Sequence, residues 1–449
     1  MLLLLFLVHV AKKSNIAHAN ILELRADEAD INNSRALFDI IWGCLATVFA
    51  CTWVAVHQNV PPPDLGWLSL QLRKLKMMLF TVVAPELVVC LAARQFFDAR
   101  SIAQSQDFLL SPITHAFFCC MGGFVTEAGH PIAEDDVLSD YIAAIRSIKE
   151  ADIADKSKGD ALSKGVAITQ GLWFTVQCLA RFHQHLPVTE IEIATLAFAV
   201  VSISIRLFWW SKPLDVQQPI VVAGAAGVVP FFPIRDFRAP TRWSGGLSTT
   251  SYVSMTRFWV RPATSIAMTT SSTTTTPTMN AKRSPSLKEE LRGAILWRYP
   301  HYSSLLSTSV PMFYSIIQDN RPVSLNMAIL AVELTVGTSF GAIHCVAWNT
   351  TFPTISEMWM WRSSSSFVAA YPLLLGSFCA LSFFLQGKLR RRSTLDNLFS
   401  LVLKTIVFGG VPIYILCRLC LIALPFTTLR ALPTGALVDV DWSVYIPHL

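Results

Sequence analysis

Charge is scarce in this chain. Asp, Glu, Lys and Arg make up 15% of its 449 residues, where a soluble globular protein carries about 25%. Apolar residues reach 53% and the mean hydropathy is +0.47, which points to a bilayer environment. A disulfide framework is lacking too. The ten cysteines, Cys44, Cys51, Cys90, Cys119, Cys120, Cys178, Cys345, Cys379, Cys417 and Cys420, all fall in apolar runs, the distribution of a small hydrophobe. Cys417-x-x-Cys420 has redox spacing but no second pair or nearby histidine. There is no G-x-S-x-G, H-E-x-x-H, P-loop or dinucleotide fingerprint, and no nucleic-acid-binding module. His183-x-His185 with Glu190 supplies too few ligands for a metal site. No catalytic residue, cofactor, metal or nucleic-acid partner is therefore expected. No repeat at a fixed period and no pair of inverted halves is present.

Long apolar runs are abundant. Gly165 to Arg181 and Ile191 to Trp210 form a hairpin around His183-Gln184-His185-Leu186-Pro187, and the second run stops at Lys212-Pro213-Leu214-Asp215. Each approaches the ~20 residues a helix needs to cross ~30 Å of hydrocarbon. Thr189-x-x-Glu192 reads as a capping box, and Trp209-Trp210 as an interfacial belt. Further runs cover Leu37–His57, Met77–Phe97, the weaker Leu109–Thr126, Val323–Trp348, Phe367–Gln386 and Leu398–Pro425. The expected fold is an all-α integral membrane protein, a bundle of about eight transmembrane helices with long cytosolic loops. With eight spans, segments 58–76, 127–165, 211–322 and 387–397 share one side and hold 24 Lys and Arg, against Arg25, Arg35, Arg100, Arg362 and Arg430 opposite. The positive-inside rule makes the first side cytosolic and puts both termini outside the cytosol.

In chain order, Met1 to Ala11 followed by Ala17-His18-Ala19 reads as a signal peptide over 1–19, with a mis-called gene start as the alternative. Residues 20–36 form an outer segment and 37–126 spans one to three. The cytosolic stretch 127–165 holds Val137, Leu138, Tyr141, Ile142 and Ile145 at helical spacing, an amphipathic helix on the membrane or the bundle. The hairpin occupies 166–210. The basic cytosolic loop 211–322 begins with an interfacial or re-entrant stretch, Pro219 to Pro233. It contains a Ser/Thr-rich tract, 264–286, expected to be disordered, and a phosphorylation candidate at Arg283-Ser284-Pro285-Ser286. Spans six to eight fill 323–425, and 426–449 is an outer tail. Candidate N-glycosylation sites are Asn32 and Asn349, both on the outer side.

An ionisable group inside a span costs about 2.5–3.5 kcal/mol on insertion scales, so each is a functional candidate. Glu86 follows Pro85, where a kink is permitted. Glu333, Gly337, Gly341 and His344 recur on one helical face, and Gly337-x-x-x-Gly341 permits close packing. His115 is a fourth polar candidate. Arg206, Lys404 and Arg418 are candidate counter-charges. The alternative is that these groups pair to fix helix register or snorkel to the interface.

Several phrases resemble a group of uncharacterised fungal multi-pass membrane proteins. They include Phe38-Asp39-Ile40-Ile41-Trp42 with Cys51-Thr52-Trp53, Arg73-Lys74-Leu75-Lys76 with Ala84-Pro85-Glu86, and Thr114-His115-Ala116-Phe117-Phe118. The match is strongest from Asp155-Lys156 through Trp173-Phe174 to Lys212-Pro213-Leu214-Asp215-Val216, and Phe340-Gly341-Ala342-Ile343-His344-Cys345 and Tyr445-Ile446-Pro447-His448-Leu449 extend it. The resemblance implies a multi-pass fold and a fungal source, and transfers no catalytic or binding residue. Three readings follow. The first is transport of a small solute or ion through a polar site in the bundle. The second is a sensor or scaffold docking protein partners on 127–165 and 211–322. The third is a membrane-embedded enzyme. The lipid bilayer is the expected partner, in the secretory pathway or the plasma membrane.

Overall fold

The computed structural model describes residues 35–63, 65–104, 112–157, 161–223, 289–290, 293, 299, 302–316, 323–388 and 393–445. The expected leader 1–19, Asn32, the Ser/Thr-rich tract 264–286 and most of loop 211–322 lie outside the described residues. Helices dominate: α1 (Leu37–Ala55), α2 (Trp67–Val83), α3 (Pro85–Gln104), α4 (Ile113–Cys120), α5 (Asp135–Ser147), α6 (Glu150–Lys156), α7 (Ala161–His183), α8 (Glu190–Phe208), α9 (Val323–Cys345), α10 (Ile355–Lys388) and α11 (Ser393–Thr428). Two short strands, β1 (Phe124–Val125) and β2 (Ile220–Val221), pair in parallel. Among the described residues four stretches are long and apolar enough to cross a membrane: Leu37–Ala55, Glu190–Phe208, Leu325–Asn349 and Thr405–Ala431. The bent pair α2–α3 makes a fifth only if it counts as one span.

Two of the eight expected spans take another form. Met77–Phe97 is not one straight helix, because α2 and α3 meet at 110°. The cause is local. Proline has no N–H to donate and pushes the preceding residue out of the helical region; Ala84 sits at φ −142°, ψ 69°, and Pro85 starts the next helix, where its missing donor costs nothing. Within Leu109–Thr126 the described residues, 112–126, hold one helix, the eight-residue α4, a rise of about 12 Å. It ends at Met121-Gly122-Gly123, where Gly122 adopts φ +73°, a backbone state that glycine reaches without steric cost. The chain then enters β1. Of the stretch Pro219 to Pro233, residues 220–221 form β2 beside β1, and 224–233 lie outside the described residues.

The ends of the helices group into two sets. At one end Arg35 N–H donates to Leu437 O (2.9 Å), and Gln184 exchanges two hydrogen bonds with Asp441. At the other, Val60 N–H donates to Met121 O and Ile220 N–H to Gly123 O, while Asn59 Nδ2 donates to Pro311 O (2.9 Å). Both arms of the bent pair reach this second end. In α2, Lys74 pairs with Asp215 at 2.6 Å; in α3, Gln95 Nε2 donates to Asn59 Oδ1 (3.0 Å). The expected amphipathic helix is α5, which buries Leu138, Tyr141 and Ile145 in the common core with Phe117, Phe118 and Phe124. The capping box also forms: Glu192 N–H donates to Thr189 Oγ1 and Thr189 N–H to Glu192 Oε2.

The glycine pair of α9 packs on α10. A Cβ at Gly337 would meet Pro372 Cγ at 3.0 Å, and one at Gly341 would meet the Ala369 backbone nitrogen at 2.3 Å. Backbone cannot step aside as a flexible side chain can. Gly341→Ala is therefore expected to destabilise the protein by about 1–3 kcal/mol, read as a lower thermal unfolding midpoint in detergent. Gly43→Ala, with no atom within 4 Å of the added carbon, should leave the midpoint unchanged or raise it.

Candidate functional site

The break between α2 and α3 lies inside the bundle, so its freed backbone groups need partners. The C-terminal carbonyls of α2 take them from Arg418 of α11. The guanidinium donates from Nε to Val83 O (3.0 Å) and from Nη2 to Val82 O (3.3 Å). It lies 3.7 Å from the Phe340 ring centroid and 5.8 Å from that of Phe198, and is 1% exposed. A cation here also answers the partial negative charge of the helix end. One residue past the break, Glu86 occupies the first turn of α3, where the helix dipole favours an anion.

Around Glu86 the side chains form a stripe. Glu86, Cys90 and Arg94 recur every four residues on one face of α3. Arg94 Nη2 reaches Glu333 Oε1 of α9 at 3.4 Å, and Cys90 lies within electrostatic reach of Glu86, Arg94 and Glu333. From α11, Tyr414 stands beside Glu86, one turn before Arg418. Glu86 Oε2 and the Tyr414 hydroxyl are both buried, and the phenol lies within interaction reach of the carboxyl. This is the arrangement with chemical capacity: one buried carboxyl beside a phenol, and a second carboxylate held by a guanidinium. No group of three or more His, Cys, Asp or Glu among the described residues is placed to hold a metal ion.

The remaining candidates are dispersed. His344 is 1% exposed among Phe340 and Trp361, and its Nδ1 lies 2.8 Å from Phe340 O. It shares Phe340 with Arg418, not a carboxylate with Glu333. His115 sits in α4 with Nε2 2.8 Å from Ile148 O, tying α4 to the start of α6 and away from Glu86. Arg206 turns toward α1, with Nη2 3.5 Å from Cys51 O. The Lys404 side chain lies outside the described residues. Asn349 is exposed at the turn before α10. The partner of Glu333 is thus Arg94, which was readable as the third member of a four-residue spacing on α3.

A second polar node was not anticipated. Lys212, 1% exposed, donates to His57 O (2.6 Å), Gln95 Oε1 (2.8 Å) and Asn59 Oδ1 (3.2 Å), with its nitrogen 4.4 Å from the Trp209 ring centroid. Trp209 Nε1 donates to the same Gln95 oxygen (2.9 Å), and Gln95 Nε2 to Tyr314 O (2.7 Å). Beside it, Ser315 donates to the buried Asp98. The node joins the exits of α1 and α8, the body of α3 and segment 311–314. Lys212-Pro213-Leu214-Asp215 stood out in the sequence only as a stop to an apolar run.

With that geometry established, the comparisons place the chain. Residues 2–232 match a family of unknown function (DUF8562), and the chain belongs to that family. The matched stretch carries the α2–α3 break, Glu86, Cys90, Arg94 and the Lys212 node; Glu333, Tyr414 and Arg418 follow it. No curated protein and no solved structure matches the chain.

Two outcomes follow for the buried basic groups. Arg418→Ala leaves the α2 carbonyls without donors and should lower unfolding free energy by about 2–3 kcal/mol, measured by chemical denaturation in detergent. Burial pulls the Lys212 ammonium well below the ordinary lysine range. Between that lowered value and about 10.4 the unfolded chain holds a proton that the folded chain has shed. Stability from this group is thus lost as pH falls through the folded value and gained as pH rises toward about 10.4. The stability difference between native protein and Lys212→Met should shift in favour of the native chain from about pH 8 to about pH 10; a flat difference would contradict it.

Proposed function

We propose that the chain is a multi-pass membrane protein that moves a small ion or solute along the polar groups at the α2–α3 break. The observation that carries this reading is the broken helix within the bundle, with the Glu86 carboxyl beside Tyr414 at its tip. Discontinuous helices whose ends face a buried polar site are how many transporters build binding sites near the bilayer midplane, and irregular backbone at that depth is tolerated only inside protein or beside a cavity. The Arg94–Glu333 pair extends the polar path to α9.

In this reading six helices cross: α1, α7, α8, α9, α10 and α11. The α2–α3 pair is re-entrant, entering and leaving on the cytosolic side, and α4 caps it. Support comes from the shared end at which Lys74, Gln95, Asn59 and Asp215 meet. The docking reading loses ground at 127–165, since α5 and α6 bury Leu138, Tyr141, Ile145 and Ile153 in the protein's own core.

Two measurements test this. In a chain whose native cysteines are replaced, single cysteines at Gly66 and Gln104 should label with an impermeant thiol reagent from the same face of a sealed vesicle. Eight straight spans would place them on opposite faces. In proteoliposomes followed with sodium, potassium and proton reporters, native protein should pass at least one ion. Glu86→Gln and Glu333→Gln should each slow that flux by about tenfold or more, an added barrier of about 1.4 kcal/mol, without changing the elution profile of the protein. No flux of any ion or solute by native protein would sink the reading.

A further inference from the structure

The α9–α10 hairpin keeps one antiparallel register along its length. Gly337 meets Pro372, Gly341 meets Ala369 and Gly376 meets Leu334. At the closed end of the hairpin Arg362 meets Trp348. The guanidinium donates from Nη2 (2.7 Å) and Nε (2.9 Å) to Trp348 O, and its centre lies 5.2 Å from the Trp348 ring centroid and 5.8 Å from that of Trp359. Trp348 is the penultimate residue of the apolar stretch Leu325–Asn349, so Arg362 is level with the end of a membrane-length helix. α10 has 34 residues, where ~30 Å of hydrocarbon needs ~20. In this register Ile355 to Trp361 project past that level.

The projecting rim carries the side chains of a bilayer interface. Ile355, Trp359 and Met360 are exposed at 75%, 59% and 46%, and Trp348 at 40%; indoles favour the headgroup level. Between two of them stands a guanidinium whose Nη1 takes no partner among the described residues. The rings fix its position and leave its charge unneutralised. A guanidinium fork matches the oxygens of a phosphate. A headgroup that also bears an ammonium would need a carboxylate beside it. Glu357 is the only acidic residue from Val346 to Lys388, and it already pairs with Arg430 at 2.6 Å. Leu373, exposed and eleven residues beyond Arg362, lies on the same face of α10, which continues the site as an apolar track toward the membrane interior.

We propose that Arg362, framed by Trp348 and Trp359, binds the phosphate of an anionic phospholipid in the non-cytosolic leaflet, with an acyl chain along α10 toward Leu373. The inference rests on the multi-pass reading for the presence of a bilayer and is independent of the transport of any ion.

Thermal unfolding of the full chain in a non-ionic detergent tests it, with six-carbon-chain phosphatidylglycerol, the matching phosphatidylcholine and inorganic phosphate as probes. Phosphatidylglycerol should raise the midpoint saturably, at concentrations where phosphatidylcholine and inorganic phosphate do not. Arg362→Gln should raise the half-saturating concentration of phosphatidylglycerol about tenfold or more. Arg100→Gln, which removes the same charge from α3, should leave it unchanged. Should Arg362→Gln fail to fold, Trp359→Leu serves instead, since it opens one side of the frame at an exposed position; it should weaken the response in the same direction. The site is overturned if phosphatidylglycerol leaves the native midpoint unmoved, if Arg362→Gln and Arg100→Gln respond alike, or if Trp359→Leu responds as the native chain does. An equal response to phosphatidylcholine overturns the anionic preference, and an equal response to inorganic phosphate overturns the lipid as occupant. Alkaline extraction of membranes separates this failure from that of the multi-pass reading. A chain released from the membrane removes both, whereas a chain retained there without the Arg362 effect removes the site alone.

Discussion

The interaction on which most else depends is the pair of hydrogen bonds from Arg418 to the last carbonyls of α2. Pro85 brings no amide donor and turns Ala84 out of the helical region, and the helix that ends there leaves the carbonyls of Val82 and Val83 without intrahelical donors. One guanidinium satisfies both while meeting the negative end of the helix dipole. Its ring contacts with Phe340 and Phe198 draw α9 and α8 to the same point. Four helices are thereby referenced to one side chain. With the break fixed, the first turn of α3 is fixed, and so is the position of Glu86.

The same solution recurs at both ends of the bundle. Arg181, 2% exposed, donates to the carbonyls of Pro187, Gly435, Ala436 and Val438. Lys212 takes the His57 carbonyl and two side-chain amide oxygens. The most deeply buried basic groups thus bond mainly to neutral oxygens at places where the chain turns or a helix stops. The logic is that turns strand acceptors, and one long basic side chain can gather several of them from distant segments. Arg35 is the mixed case, combining Glu192 with Ala436 O.

Part of this was legible in the sequence. Helix ends were, because capping residues and prolines act locally: Thr189 and Glu192 cap α8 as their spacing requires. The small-residue face of α9 was, since Gly337 and Gly341 share a side of any straight helix. Partnerships were not. Glu333 and His344 do lie on one face, yet eleven residues at about 1.5 Å each separate them by about 16 Å along the axis, enough to place them in different environments. A wheel projection shows angle and hides depth. Arg94 escaped notice as a counter-charge because it lay near the end of what read as a straight span. The Lys212 node was invisible for another reason: Asn59, Gln95 and Tyr314 come from three separate segments, and nothing in their spacing links them.

The span count illustrates a limit set by the physics of the signal itself. Loop charge reports which side a segment lies on, and crossings are inferred only from changes of side. A helix that enters and leaves on one face, followed by a short helix on that face, replaces two crossings by none. Every loop beyond keeps its side. The basic segments 58–76, 127–165, 211–322 and 387–397 stay together under either count, and Arg100 moves from the sparse side to the basic one, which only sharpens the asymmetry. Charge therefore cannot separate eight crossings from six with a re-entrant pair. The discriminating information sits at Pro85, where the chain bends by 110°, and at Gly122-Gly123, which follow a helix of only eight residues.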